Sequence, residues 1–336
     1  MKPATTLRKL DPEAAGPVFC RERGVTMRKL VIAVAVSTAM ALGALTPAPA
    51  LAWNDQGHMA TGDIAYDTLA ARDPRAVAAI VAIMQAHPDH ALFEKRLAGL
   101  SGKARERRLF ALMAVWPDDT RGSPHDRPDW HYALKLVSPA RFVLPFTVGK
   151  AEKAFDEQLA IARDPKAPRA ERAVALCWLM HLVGDQHQPL HAGHWLSWDF
   201  PKSDRAGSIA YVRRQPGAAP VDMHDLWDSA PDRPIANREA GAEAVAAAVE
   251  AAHPRPARVD LSADPSAALK GWERESWGLA KDVAYRNGAL ARVPAKDKAR
   301  APVLPPGYMA KMRTVADARV AAAGYRLADV LALVRS

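Results

Sequence analysis

Apolar residues recur at three- and four-residue intervals through Ala-, Leu-, Val- and Arg-rich segments at 101–115, 151–163, 168–187, 236–252, 266–288 and 307–334, which predicts helices. Pro- and Gly-rich stretches around 139–148, 196–220, 253–265 and 293–307 separate them and read as loops. Pro305-Pro306 ahead of Gly307 marks the start of the last helix. Strand-type alternation is scarce; Ile209 to Arg213 is its best instance, as part of a small hairpin. No internal repeat and no second domain is visible. The fold expected is all-α and single-domain, with at most that hairpin.

The first 52 residues stand apart from this pattern. Met27-Arg28-Lys29-Leu30 is a basic start, Val31 to Leu45 an apolar core, and Ala50-Leu51-Ala52 a small-x-small cleavage site, together a secretory signal peptide over 27–52. Its apolar core is shorter than the roughly 20 residues a membrane span needs, so no stable membrane anchor is expected. The 26 residues before Met27 are mixed and charged and read as an upstream extension, with Met27 the initiator. Cleavage after Ala52 leaves a domain over 53–336, 284 residues long and ample for one large core. The destination is the periplasm or the outside of the cell, as a monomer. Trimming also lowers the formal charge from +9 to +5, a balance that suits an anionic substrate without naming one. Cys20 leaves with the leader, so Cys177 stands alone and no internal disulfide is available. Cys177 lies in an apolar run and reads as core packing.

Within the helical segments, acids and histidines interrupt apolar, Trp-rich sequence. His181 and Asp185 are four apart and share a helix face; Pro189 then ends the helix, and His191 can fold back toward them. His224 and Asp228 repeat the spacing. Asp118 and Arg121 lie one turn apart after the apolar run ending at Val115, and His131 sits between Trp130 and Tyr132. Singly, each histidine also reads as a satisfied half-buried side chain. Together they are costly to bury unless something pairs with them, and a metal cluster is the simplest common partner. Zinc takes this mixture of imidazole and carboxylate. Cleavage at Trp53 would add a free α-amino group, of pKa near ~7.7, five residues before His58. His87, His90, His125, His187, His194 and His253 lack such partners and read as surface or loop residues.

Trp53-Asn54-Asp55-Gln56-Gly57-His58, the Trp116-to-Arg121 unit, Trp130-His131-Tyr132, the stretch from His181 to His191, and His224 with Asp228 occur in the order found in S1/P1 nucleases, which the chain resembles. Ala323-Gly324-Tyr325-Arg326-Leu327-Ala328 is similar to that family's last helix. The resemblance implies a helical fold shared with bacterial zinc phospholipases C and three zinc ions. Asp118, His131, His181 and Asp185 would take the first, and His191, His224 and Asp228 the second. The third would go to the amino nitrogen and carbonyl of Trp53 with His58, Asp185 bridging it to the first. It further implies hydrolysis of P–O3′ bonds in single-stranded DNA or RNA to 5′-phosphate products, and 3′-nucleotidase activity. Asp118 and Arg121 would be catalytic, and Tyr132 the plate on which a base stacks.

Two departures bear on the base pocket. Leu134 stands where the family has an acid or amide, and Ala206-Gly207-Ser208 stands for its Gly-Gly-Asn, displaced by a Trp-bearing loop from His194 to Arg205. Relaxed or altered base preference is the expectation. The rival readings are a zinc phospholipase C and a non-catalytic zinc-binding export protein, which would need neither Arg121 nor an open coordination position.

Overall fold

The computed structural model describes residues 53–138, 147–257, 261 and 263–334; the expected leader over 1–52 lies outside the described residues. Helices are numbered here in chain order from α1, Asp55–Arg72. The architecture turns on α6, Arg169–Asp185, in which every residue from Ala175 to Asp185 is buried. A helix apolar nearly all round has no solvent face and must be enclosed. It is enclosed by α1, α2 (Pro74–Met84), α4 (Gly102–Asp119), α5 (Ala151–Arg163) and α11 (Tyr308–Leu331). Helix α3 (His90–Leu97) caps α4 from outside, burying Phe93 and Leu97. Cys177 is wholly buried within α6, as core packing requires.

Helix α1 makes the closest approaches. Asn54 caps it, its side chain accepting from the Gly57 amide. A Cβ at Gly62 would fall 2.5 Å from the Phe110 carbonyl oxygen and 2.9 Å from the Ala111 Cα, so glycine lets α1 lie directly against the backbone of α4. On the next side, a Cβ on Gly324 of α11 would fall 2.5 Å from the Ile64 Cβ.

Strands are short. Ala210–Arg213 (β4) pairs antiparallel with Pro220–Asp222 (β5), the hairpin expected from the alternation, and on its other side with Val293–Pro294 (β6). A second sheet forms from Leu134–Val137 (β1), antiparallel to Thr147–Val148 (β2) and parallel to Gly193–Trp195 (β3). Both adjoin residues of the candidate site. β1 follows His131, β3 follows the four-residue helix α7 (Pro189–Ala192), and β5 runs straight into α8 (Met223–Asp228). The mostly helical expectation therefore holds, with two small sheets serving as positioning devices.

The segment expected as one helix over 266–288 is broken. Helix α10 ends at Leu279 (Pro265–Leu279), a π-helical turn spans Ala280–Ala284, and Asn287 adopts φ 54°. The Tyr285 amide reaches back five residues to the Ala280 carbonyl at 2.8 Å. That widening places the Tyr285 ring, wholly buried, 5.4 Å from the ring of Trp195. Helix α9 (Arg238–Ala252) covers the remaining side of α1. Among the described residues, no helix is long and apolar enough to cross a membrane.

The α1–α4 contact yields a stability prediction. Gly62→Ala forces two helix backbones apart, an overpacking that typically costs about 1–3 kcal/mol, and a lowered midpoint in chemical denaturation is the expected result.

Candidate metal centre

Four elements converge beside the C-terminal end of α6. His181 and Asp185 project from one face of that helix, both wholly buried. α1 brings His58, whose ring stacks on His181 at 4.0 Å and 16°. The last turn of α4 brings Asp118, and the loop before β1 brings His131. Here His131 Nδ1 lies 3.0 Å from Asp185 Oδ2 and 3.0 Å from His181 Nε2. His181 Nε2 is 3.4 Å from Asp185 Oδ2 and 3.8 Å from Asp118 Oδ1. His58 Nε2 is 3.3 Å from Asp185 Oδ1 and 4.0 Å from Asp118 Oδ2. On the far side, His191 Nδ1 is 3.9 Å from Asp185 Oδ1, and His224 Nε2 is 3.5 Å from Asp228 Oδ2.

These spacings suit a cation. Ligand atoms about 2.0–2.2 Å from a tetrahedral zinc stand about 3.3–3.6 Å from one another. Three groups have all their ligand atoms within 4.8 Å: His58, His181 and Asp185; Asp118, His131 and His181; His191, His224 and Asp228. Every one of these residues is buried. Neither nitrogen of His58, nor Asp185 Oδ1, nor Asp228 Oδ2 has a hydrogen-bond partner. Buried polar atoms left so are costly, and cations in these groups would satisfy the carboxylate oxygens and one nitrogen of His58.

An outer ring fixes how the imidazoles point. His181 Nδ1 donates to the Ala114 carbonyl at 2.9 Å, His224 Nδ1 to the Ala206 carbonyl at 2.7 Å, and His191 Nδ1 to the His131 carbonyl at 2.8 Å. A carbonyl only accepts, so in each ring the proton sits on Nδ1 and the Nε2 lone pair is the one able to ligate. Gln188 Nε2 donates to Asp228 Oδ1 at 2.6 Å while its own oxygen caps α7 at the Leu190 amide. Gln186 Nε2 donates to the His131 carbonyl at 3.2 Å. Behind the site, the buried Arg319 donates to the His187 and Trp272 carbonyls and to Ser276 Oγ, which in turn donates to the Gln186 carbonyl at 2.7 Å.

Burial dominates the electrostatics. It pushes His58 and His131 well below the usual histidine range, with His181 next to each adding to the effect. Burial lowers His181 as well. These imidazoles are therefore neutral, the form a metal binds. Burial pushes Asp185 and Asp228 well above the carboxylate range, and the charge of Asp118 reinforces the shift at Asp185. A dication beside them reverses that push.

All eight ligand side chains anticipated from the sequence meet here. Trp53 is wholly buried, its Cβ against Gly57, and the next amide, on Asn54, donates to the Asp228 carbonyl at 3.2 Å. Arg121 turns onto Asp118, with Nη2 2.5 Å and Nε 3.2 Å from Oδ1. Tyr132 is buried, its ring stacked on His191 at 4.6 Å and 26°, in a small apolar cluster with Leu134 and Ala206.

S1/P1 Nuclease is the family whose model matches, over residues 53–336. The chain belongs to the S1/P1 nuclease family. A comparison with curated proteins gives no match. Family membership makes this a metal-dependent nuclease fold, with the His/Asp groups described above as its candidate metal sites.

Three of the histidines read as surface or loop residues are buried, two of them, His87 and His187, in loop or turn segments. His87 lies edge-on to Phe93 and Trp116, His187 bonds the Val183 carbonyl and Arg326, and His194 bonds Ser203 Oγ. Each has a partner distant in sequence or on a following turn, which spacing alone does not reveal. Gln186, Gln188 and Arg319 were likewise missed; the run of polar residues just after the apolar α6 was the available signal.

Two predictions arise from this nuclease's ligand shell. Gln188→Leu strips Asp228 of its donor, and losses of this kind typically cost about 10–100-fold in metal affinity, measurable by competition with a chromophoric chelator. The second concerns pH. In metal-free protein, His58 and His131 contribute stability that is present above about pH 6.5 and lost as pH falls. Asp185 and Asp228, raised in the fold, contribute stability present below about pH 3.9 and lost as pH rises. A cation removes the acids' penalty and needs the imidazoles neutral. The gain in Tm on adding zinc to chelated protein should therefore be greatest near neutral pH and shrink on acidification.

Proposed function

We propose that this S1/P1 nuclease is an exported, trinuclear-zinc phosphodiesterase that hydrolyses P–O3′ bonds of single-stranded DNA or RNA, leaving 5′-phosphates, and that it also releases phosphate from 3′-nucleotides. The observation that carries the reading is the convergence of eight buried imidazole and carboxylate ligands in a chain of this family. Asp118, His131, His181 and Asp185 would hold one ion, and His191, His224 and Asp228 a second. His58 and Asp185, with the amino nitrogen and carbonyl of a trimmed Trp53, would hold the third. Zinc, when bound, supplies an acidified water and positive charge beside the phosphorus.

The protein's own groups do the rest. In the reaction water adds to phosphorus, the P–O3′ bond breaks, O3′ leaves as a hydroxyl and the phosphate stays on the 5′-oxygen. Asp118 is held by Arg121 at one oxygen, which leaves its other oxygen directed at His58. Arg121, partly exposed at the rim, presents a planar fork that suits the phosphoryl oxygens as charge gathers on them. Burial of the whole ligand set excludes bulk water and strengthens each of these interactions. Export rests on the leader at 1–52, and the family match beginning at Trp53 supports cleavage just before it.

A zinc assay of the trimmed protein, run beside rates on single-stranded DNA, duplex DNA and a choline phospholipid, tests the assignment. Three ions and a preference for single strands are expected; turnover of the lipid alone would replace it with a phospholipase. Arg121→Ala should lower the rate on single strands by about 10²–10³, the usual scale for losing such a donor, with metal content unchanged. One extra residue ahead of Trp53 should cost one ion of the three and leave the other two bound. Across the four 3′-mononucleotides, kcat/KM should vary little. Leu134 offers a base no hydrogen-bonding edge, and apolar contact discriminates only by about 10–200-fold where a hydrogen-bonding pocket reaches far more.

A further inference from the structure

Trp198 is 99% exposed, while every other tryptophan of the described residues is buried or half-buried. An indole left wholly in water gains nothing for the fold. The segment that carries it is nevertheless held firmly. Ser197 and Phe200 exchange backbone hydrogen bonds, amide to carbonyl, at 3.3 and 3.1 Å, so Trp198 and Asp199 form the tip of a two-residue turn. Below the tip, the Trp195 amide donates to Asp204 Oδ1 at 2.8 Å and the Asp204 amide donates to the Trp195 carbonyl at 2.9 Å. Trp195 and Phe200 are buried, and the Arg292 guanidinium lies 4.5 and 5.8 Å from their rings. The loop is a rigid mount with one large aromatic pointing outward.

Both ends of this mount are tied to the metal centre. His191, a ligand, lies seven residues before Trp198. At the other end Arg205, Ala206 and Gly207, all at positive φ, turn the chain so that the Ala206 carbonyl accepts from His224 Nδ1. At no more than about 3.6 Å per residue, the Trp198 Cα stays within about 25 Å of His191. That reach fits the roughly 4–16 nucleotides that single-strand-binding surfaces track. Asp199 shares the tip with Trp198, Lys202 is exposed on the same loop, and Arg286 is exposed beside the Gly288 that packs against Trp195.

Resting on the nuclease reading, we infer that Trp198 is a stacking platform for a base of the single-stranded substrate lying outside the metal centre, and so favours polynucleotides over mononucleotides. Tyr132, pressed face-on against His191, leaves room for such an outer plate to do part of the single-strand selection.

The experiment compares zinc-loaded wild type with Trp198→Ala and Trp198→Phe. The readout is the ratio of KM for a single strand of about 20 nucleotides, longer than such surfaces track, to KM for a 3′-mononucleotide. Stacking is worth enough that Trp198→Ala should raise this ratio at least about fivefold, with Trp198→Phe retaining most of the preference. In chelated protein, the red edge of tryptophan emission should be quenched by the oligonucleotide in wild type and not in Trp198→Ala. An unmoved ratio in an enzyme that does cleave single strands overturns the stacking role alone. Wild type that neither binds nor cleaves single strands overturns the nuclease reading. Loss of binding to anionic phospholipid vesicles on Trp198→Ala, with the ratio unmoved, overturns the base platform in favour of a lipid contact.

Discussion

The cost of burying Asp185 among neutral imidazoles governs this structure. Its two oxygens face His58, His131, His181 and, more distantly, His191, with Asp118 nearby, all in an interior where charge is poorly screened. A carboxylate there resists ionisation and the imidazoles resist protonation. No assignment of protons satisfies every atom: Asp185 Oδ1 and both nitrogens of His58 stay without hydrogen-bond partners. Cations between these groups satisfy the carboxylates and the bare lone pairs together. The set thus has the make-up of a metal coordination shell.

The surrounding fold keeps that shell from collapsing. The eight side chains come from α1, α4, the loop before β1, α6, α7 and α8, and the imidazoles of His181, His191 and His224 are anchored through Nδ1 to backbone carbonyls. The anchors cross the structure: Ala114 is on α4, His131 before β1, and Ala206 at the end of the Trp198 loop. The chain between Asp185 and His191 carries a candidate ligand at each end and no long element to stiffen it. Arg319 compensates. Its guanidinium donates to the His187 carbonyl and to Ser276 while pairing with Glu275 at 2.6 Å, so α10 and α11 together brace the turn from behind.

What the sequence disclosed and what it withheld divide along this line. His181 with Asp185 and His224 with Asp228 were legible because helical spacing alone places them on one face, and the structure keeps both pairs within 3.5 Å. The helices over 151–163 and 168–187 were legible from their apolar runs. Helix α1 was not singled out. Packed on several sides at once, it buries Gly57, His58, Thr61, Gly62 and Asp63 along with its apolar residues, so polar and apolar positions do not sort into faces. The sheet around β1 was invisible because three residues paired across a gap of more than fifty in sequence leave no local signature. The outer ring of the site is mostly backbone carbonyls, and carbonyls have no residue type to read.

Folding and metal binding are consequently one problem for this chain. Cys177 is a lone, buried thiol, so no disulfide among the described residues braces the domain. Ions that bind only the folded state stabilise it by about 2.7 kcal/mol for each site at a hundredfold excess over Kd. Domains are typically stable by about 5–15 kcal/mol in total, so even two such sites supply a large share. The same ions relieve the penalty of the buried carboxylates, which a metal-free fold bears in full. Under the proposed function, catalytic geometry and stability draw on the same eight side chains. A substitution among them changes both, whereas Arg121, at the rim and partly solvated, is placed where chemistry can be altered with the fold left intact.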